Sequence, residues 1–193
     1  LAADWAVVIA GPGQDLLCLA SQFALDGDHL ARCQRLEEEV AERFGGTDIL
    51  MNNAGIQPGS AMFEEPGAWQ RLLAVNLWGV IHGSQVFGPR MIARGRPGAI
   101  INTGSKQGIT NPPGDAAYNV TKAGVKALTE SLAHKLRNTE GCQVTAHLLV
   151  PGFTYTGLIR RHVPEKPPAA WLPEQVVDEL LTRMGKGDFY IIC

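Results

Sequence analysis

Tyr118 and Lys122 stand four residues apart. On a helix that spacing puts both side chains on one face, one turn apart. An ammonium beside a phenol favours the phenolate and draws its pKa down from about 10 toward neutral pH, as a general acid/base requires. A bare Tyr/Lys pair is equally compatible with a half-buried tyrosine and a lysine whose stem lies along apolar surface. The neighbourhood narrows the choice. Ser105 lies just past an apolar run, upstream of Tyr118, where its hydroxyl could donate to a substrate oxygen. A turn or helix-cap serine is the alternative. Asn76 interrupts the apolar stretch Leu72-Leu73-Ala74-Val75-Asn76-Leu77-Trp78. A buried amide there must find partners or break the helix locally.

The elements that must position these residues read as an alternation of strands and helices. The apolar runs Trp5 to Ala10, Thr47 to Met51, Ala99 to Thr103, Gln143 to Val150 and Asp188 to Ile192 predict strands. Between them the periodicity predicts helices over His29 to Phe44, Trp69 to Ala93, Ala116 to Arg137 and Pro173 to Met184. Asp28 is placed to cap the first of these helices, Gly45-Gly46 to stop it, and Pro173 to open the last. Strands apolar on both faces, joined through helices, imply a parallel sheet covered on two sides. The expected fold is a doubly wound, Rossmann-like α/β/α sandwich forming a single domain over residues 1–193. Ligands in such sheets sit beyond the carboxyl ends of the strands, which singles out the loops after Ala10, Met51, Thr103 and Val150.

Composition excludes several other classes. The chain has 193 residues, 45% hydrophobic and 19% charged, which suits one folded core. Its net charge of −2 gives no polyanion-binding surface, so no nucleic-acid partner is expected. The Arg90/Arg94/Arg96 cluster and the Arg160-Arg161 pair read as solvated surface. Cys18, Cys33, Cys142 and Cys193 lack CxxC spacing and nearby paired histidines, so no metal site is expected, and their wide spacing fits a reducing cytoplasm. No apolar run is long enough to span a bilayer and no basic-then-apolar leader opens the chain, so we expect a cytoplasmic protein off the membrane.

Five segments together carry a resemblance. Asn52-Asn53-Ala54-Gly55, Val75-Asn76-Leu77-Trp78-Gly79, Ile101-Asn102-Thr103-Gly104-Ser105, Tyr118-Asn119-Val120-Thr121-Lys122 and Val150-Pro151-Gly152-Phe153-Thr154-Tyr155-Thr156 follow in order. This combination resembles the short-chain dehydrogenase/reductase family, in its NNAG/YxxxK form, over most of the chain from Asp26 to Ile192. The resemblance implies an oxidoreductase that moves a hydride between NAD or NADP and a carbonyl or alcohol. It implies that Tyr118 is the acid/base and that Lys122 lowers its pKa and binds the nicotinamide ribose. Ser105 would hold the substrate oxygen, and Asn76 would support a water chain to the lysine. Asn53, Ala54 and Gly55 would lie along the cofactor. Pro151, Gly152, Thr154 and Thr156 would flank the nicotinamide. Asp26 or Asp28 would stand near the adenine, the register being ambiguous by two residues.

One segment departs from the pattern. The family opens with a TGxxxGxG loop whose N–H groups hold the pyrophosphate. Here Ala10-Gly11-Pro12-Gly13-Gln14-Asp15 occupies that place, with Gly11 the remaining candidate for cofactor contact. The stretch before Asn52 is also short by roughly thirty residues, about one βα unit. Such a sheet would expose strand edges, so we expect the missing unit to exist and to leave a break between Gly11 and Asp26, near Gln14.

Residues 153–171 resemble the family's substrate loop. Phe153, Tyr155, Leu158, Ile159 and Trp171, with Ile56, Met62, Phe63, Gln107 and Ile109, would wall an apolar pocket for a medium-sized carbonyl or alcohol. His162 and Arg160-Arg161 would face solvent. The helices over 69–93 and 116–137 resemble those that pair in the family's homodimers and homotetramers. Two other readings remain: a catalytically silent dinucleotide-fold binding or regulatory protein, and a sugar-nucleotide epimerase or dehydratase, which also uses a Tyr/Lys pair.

Overall fold

A computed structural model describes residues 6–9, 16–19, 29–57, 59–63, 66–160 and 163–193. In chain order the elements are β1 (Ala6–Ile9), β2 (Leu16–Leu19), α1 (His29–Phe44), β3 (Ile49–Asn52), α2 (Pro66–Leu73), a π-turn (Ala74–Trp78) and α3 (Gly79–Ala93). There follow β4 (Gly98–Thr103), α4 (Gln107–Thr110), α5 (Ala116–Arg137), β5 (Val144–Val150), α6 (Gly157–Arg160), α7 (Pro173–Gly185) and β6 (Tyr190–Ile192). They form one sheet in the order β2-β1-β3-β4-β5-β6.

From β3 to β6 the strands run parallel, with helical crossovers, as a doubly wound fold requires. The apolar run at Trp5 to Ala10 does contribute a strand, but β1 pairs antiparallel with β3 and with β2, so the sheet is mixed at that edge. The β1–β2 pairing has a simple cause. Only residues 10–15 separate the two strands, enough for a hairpin and too few for the dozen-residue crossover a parallel pair needs. Gly11, Gln14 and Asp26, and with them the expected break, lie outside the described residues, as do Asp28, Arg161 and His162.

Strand alternation divides the core in two. Leu50, Ile100, Ala146, Leu148 and Val150 face α1, α3 and α5, packing with Val40, Phe87, Met91, Val125 and Leu136. Ile49, Met51, Ile101, Leu149 and Ile191 face the other way, where Val176, Leu180 and Met184 of α7 cover them. The periodicity predicts one helix over Trp69 to Ala93; the chain is helical there but changes register through the π-turn and begins earlier, at Pro66. Among the described residues, Cys33, Cys142 and Cys193 are free, no group of three metal-ligating side chains forms, and no helix is long and apolar enough to cross a membrane.

Candidate active site

The carboxyl ends of β3 and β4 are locked together by buried amides. The Asn52 Nδ2 donates to Asn102 Oδ1 at 2.8 Å and reaches Ser84 Oγ at 3.4 Å; Asn102 Nδ2 donates to Thr129 Oγ1 at 3.0 Å. Each amide is almost fully buried, so these bonds are obligatory. They tie two strands to α3 and α5. The close approach of α3 requires Gly83, since a Cβ there would stand 2.2 Å from Asn52 Oδ1. One residue further on, Thr103 Oγ1 donates to Asn53 Oδ1 at 2.8 Å.

Asn76 sits in the middle of the π-turn and is fully buried. Its amide pairs with the backbone of Ile56 much as a strand would: Oδ1 accepts from Ile56 N at 2.8 Å and Nδ2 donates to Ile56 O at 2.9 Å. Nδ2 also approaches Thr121 Oγ1 of α5 at 3.5 Å. The extra residue of a π-turn re-aims side chains, and such turns recur at functional positions. Gly55 marks where the pieces meet. A Cβ on it would lie 3.6 Å from Asn76 Oδ1 and 3.7 Å from Lys122 Nζ.

Lys122 is buried, with its ammonium donating to the Thr103 carbonyl at 2.8 Å. That is its one hydrogen bond among the described residues, and two N–H groups remain. Burial without a carboxylate partner lowers its pKa from 10.5 to about 8. The ammonium lies 5.7 Å from the centroid of the Tyr118 ring. The Ser105 hydroxyl lies near enough to the Tyr118 phenol to favour its ionised form, and its Oγ accepts from Gln107 N at 3.2 Å. So Ser105, Tyr118 and Lys122 do converge at the carboxyl edge of the sheet.

The direction of the Tyr118 shift is a correction. The Tyr/Lys spacing predicts a lowered phenol pKa, but the phenol is held above its ordinary value. Burial is the largest cause, the Ser105 hydroxyl opposes it, and the Asp115 carboxylate adds to the rise. Spacing along a helix reports that a charge is near. It does not report the burial that raises the phenol.

Several further positions hold this arrangement without forming part of any of the five segments. Gly108 lets α4 lie directly against α5, since a Cβ there would stand 2.6 Å from the Lys122 carbonyl carbon, which no side chain could tolerate. A glycine three residues after Ser105 was the available cue. Ser60 is buried and accepts from Tyr118 N at 3.3 Å, and Asp115 accepts from both Ser60 Oγ and Gln57 Nε2. Contacts this distant in sequence leave no local pattern.

The segment from Pro151 is held at both ends. The Pro151 carbonyl accepts from Lys106 N at 3.2 Å, and Gly152 N donates to Cys193 O at 3.1 Å. The hydroxyl of Thr154 is buried without a hydrogen-bond partner. Thr156 N turns back to Thr154 O at 2.9 Å and the Thr156 carbonyl starts α6. The 153–171 loop is clasped at its base, where Trp171 N donates to Phe153 O at 2.9 Å and Tyr155 N to Trp171 O at 2.8 Å. Tyr155 is buried, its hydroxyl bonded to the Pro164 carbonyl and its ring 5.0 Å from the Arg160 guanidinium. Phe63, expected in the pocket wall, is fully solvent-exposed, and Met62 and Ile109 are largely so. A separate cleft between α1, α3 and the end of β3 is lined by Cys33, Leu36, Asn53, Ala54, Val75 and Val80.

Fold and site together define a doubly wound α/β protein with a serine–tyrosine–lysine cluster at the carboxyl edge of its sheet. The chain belongs to the short chain dehydrogenase family, whose model matches residues 15–167. It is 34% identical over 146 residues to a D-beta-hydroxybutyrate dehydrogenase of Rhizobium meliloti, covering 75% of this chain and 55% of that one. It is 36% identical over 146 residues to a 3-oxoacyl-(acyl-carrier-protein) reductase of Staphylococcus aureus, covering 75% of this chain and 56% of the other. Among solved structures, a short chain dehydrogenase/reductase from Burkholderia phymatum in complex with NAD superposes with a TM-score of 0.73 at 31% identity, over 84% of this chain and 66% of that one. A gluconate 5-dehydrogenase from Burkholderia cenocepacia in complex with NADP and tartrate gives 0.69 at 32% identity, over 78% and 63%. The chain spans about half the length of the curated relatives it matches.

Proposed function

We propose that this chain carries the acid/base half of an NAD- or NADP-dependent oxidoreductase that interconverts a carbonyl and an alcohol. The observation that carries the reading is the gathering of three groups at the end of β4: the Lys122 ammonium, bonded to the Thr103 carbonyl, lies 5.7 Å from the Tyr118 ring, and the Ser105 hydroxyl lies near the phenol. A carbonyl oxygen at that edge would meet two hydroxyl donors. Tyr118, held protonated at neutral pH, gives its proton to the oxygen as charge develops there. Ser105 steadies the same oxygen. Lys122, still mostly protonated at pH 7 with a pKa of about 8, supplies a positive charge beneath the phenol as it loses its proton. Asn76 fixes Ile56 and hence the backbone at Gly55, beside the lysine.

The donor set suits a nicotinamide cofactor, which supplies or accepts the hydride when bound. Among the described residues, two Lys122 N–H groups and the buried Thr154 hydroxyl lack partners and could each bind a polar group. Asn53, Ala54, Gly55, Lys122, Pro151, Gly152, Thr154 and Thr156 would hold it, with Tyr118 beside it. Gly11 and Asp26 belong to the same proposal but lie outside the described residues. The substrate is a small molecule bound against the apolar residues of the 153–171 loop. Trp78 and Val120, each about half exposed on the π-turn and α5, support a homodimer or homotetramer built on those helices, in the cytoplasm.

Tyr118→Phe tests the reading. Turnover, followed by cofactor absorbance, should fall about 10³-fold, the middle of the range that acid/base catalysis contributes, with cofactor affinity little changed. Undiminished turnover would overturn it. A second reading, a cofactor-binding or regulatory protein without turnover, rests on Ala10 to Asp15 lacking the TGxxxGxG pattern. Titration of the wild-type chain with NAD and NADP, beside a panel of carbonyls, separates the two: binding without turnover on any of them favours the second.

A further inference from the structure

Asp115 stands immediately before α5, where a carboxylate ordinarily accepts from the first free N–H groups of the helix. It does not do so here. Its Oδ1 accepts from Ser60 Oγ at 2.8 Å, and its Oδ2 from Gln57 Nε2. Ser60 passes the connection on. Its Oγ accepts from Tyr118 N at 3.3 Å, its carbonyl accepts from Ala117 N at 3.4 Å, and it forms a parallel bridge with Asp115. The serine is 1% exposed, so water cannot replace these bonds. The loop after β3 and the first turn of α5 are therefore joined at one carboxylate, three residues before Tyr118.

We propose that Asp115 is a positioning residue for Tyr118: through Ser60 its carboxylate locks the first turn of α5 to the loop carrying Gln57, and so fixes the phenol relative to Ser105. This rests on the acid/base reading of Tyr118. The carboxylate also acts through space, because a negative charge one turn away opposes formation of the phenolate. The groups facing the phenol are few. Beside α5 they are Asp115 and Lys122, and from the loop before α4, Ser105; the loop after β3 brings the uncharged Gln57 to Asp115 and Ser60 to the Tyr118 backbone. Lys106 of the α4 segment is exposed, and Arg160 of the 153–171 loop lies over Tyr155. Among the described residues Asp115 is the carboxylate that acts on the phenol, so removing its charge changes the phenol's electrostatics.

Three variants of the full chain, D115N, D115A and Y118F, test this beside the wild type, with pH profiles of kcat and kcat/KM, cofactor Kd and thermal midpoint measured for each. Asparagine keeps an acceptor for Ser60 and can pair with a flipped Gln57 amide, so it retains the clamp and loses only the charge. D115N should keep kcat at its optimum within about threefold and move the profile down by about half a pH unit. D115A, which loses both bonds, should lower kcat at least about tenfold while cofactor Kd changes less than about twofold. Wild-type profiles for both Asp115 variants, with Y118F inactive, would overturn the clamp and leave the acid/base reading standing. Undiminished activity in Y118F would overturn both. Should D115A fail to fold, S60A takes its place, because it removes the hydroxyl that links the Asp115 carboxylate to Tyr118 N; wild-type kcat in S60A would overturn the proposal.

Discussion

The two faces of the sheet are built differently. One is covered, among the described residues, by α1, α3 and α5, and holds two apolar clusters, the buried Asn52–Asn102–Thr129 chain and Lys122. The other is covered by α7, and its β3 side chains, Ile49 and Met51, are only partly buried. On the first face Asn52, Asn102 and Lys122 are each tied to a neighbouring element, and these bonds hold the ends of β3, β4 and α5 together. The second face is mainly apolar contact, with one buried polar side chain among the described residues, His147, paired with Thr145 Oγ1 and the Asp188 carbonyl. Precision at the candidate site comes from the first face; the second contributes stability to β4, β5 and β6.

Mutations on matched positions test that contrast. The largest effect is expected for Phe87→Ala, at the centre of the three-helix face, which should cost about 4 kcal/mol in urea unfolding. Leu180→Ala on α7 should cost about 2 kcal/mol, because a single covering helix can settle into the space. Equal losses at the two positions would break the comparison.

Lys122→Met should stabilise the chain by about 2 kcal/mol at pH 7 while removing turnover. The lysine's pKa falls from 10.5 unfolded to about 8 folded, a difference of about 3 kcal/mol against folding, partly offset by its bond to Thr103. Between pH 8 and 10.5 the unfolded chain carries the extra proton, so wild-type stability rises with pH across that window; below about 8 the full cost is present. The variant should show no such rise. A destabilised variant would show that the tightly bonded face tolerates its charge at no cost. The smallest effect is expected for Met51→Gln, within about 0.5 kcal/mol, since that side chain is already in partial contact with solvent. A loss matching that at Phe87 would show the α7 face to be as well packed as its opposite.

Much of the parallel half of the fold could be read before any coordinates. The runs at Ala99 to Thr103 and Gln143 to Val150 are apolar on both faces, a pattern that buried parallel strands share, and they are β4 and β5 to within a residue. The α5 helix begins and ends as its periodicity predicts. The π-turn could not be read, because Ala74 to Trp78 has ordinary helical composition and its register depends on Asn76 pairing with Ile56. The direction of β1 was equally hidden: a short apolar run looks the same whichever way its neighbour points.

The candidate site divides along the same line. Sequence alone determined which groups can take part, since a tyrosine and a lysine four apart on a helix must share a face, and a serine at a strand end must stand at the sheet's edge. Only the tertiary structure decided how those groups behave. Burial raised the Tyr118 phenol instead of lowering it, and Gly108, Ser60 and Asp115 set its place through contacts up to 58 residues away. Desolvation and long-range hydrogen bonds depend on what else is folded against a residue, and no local spacing encodes that.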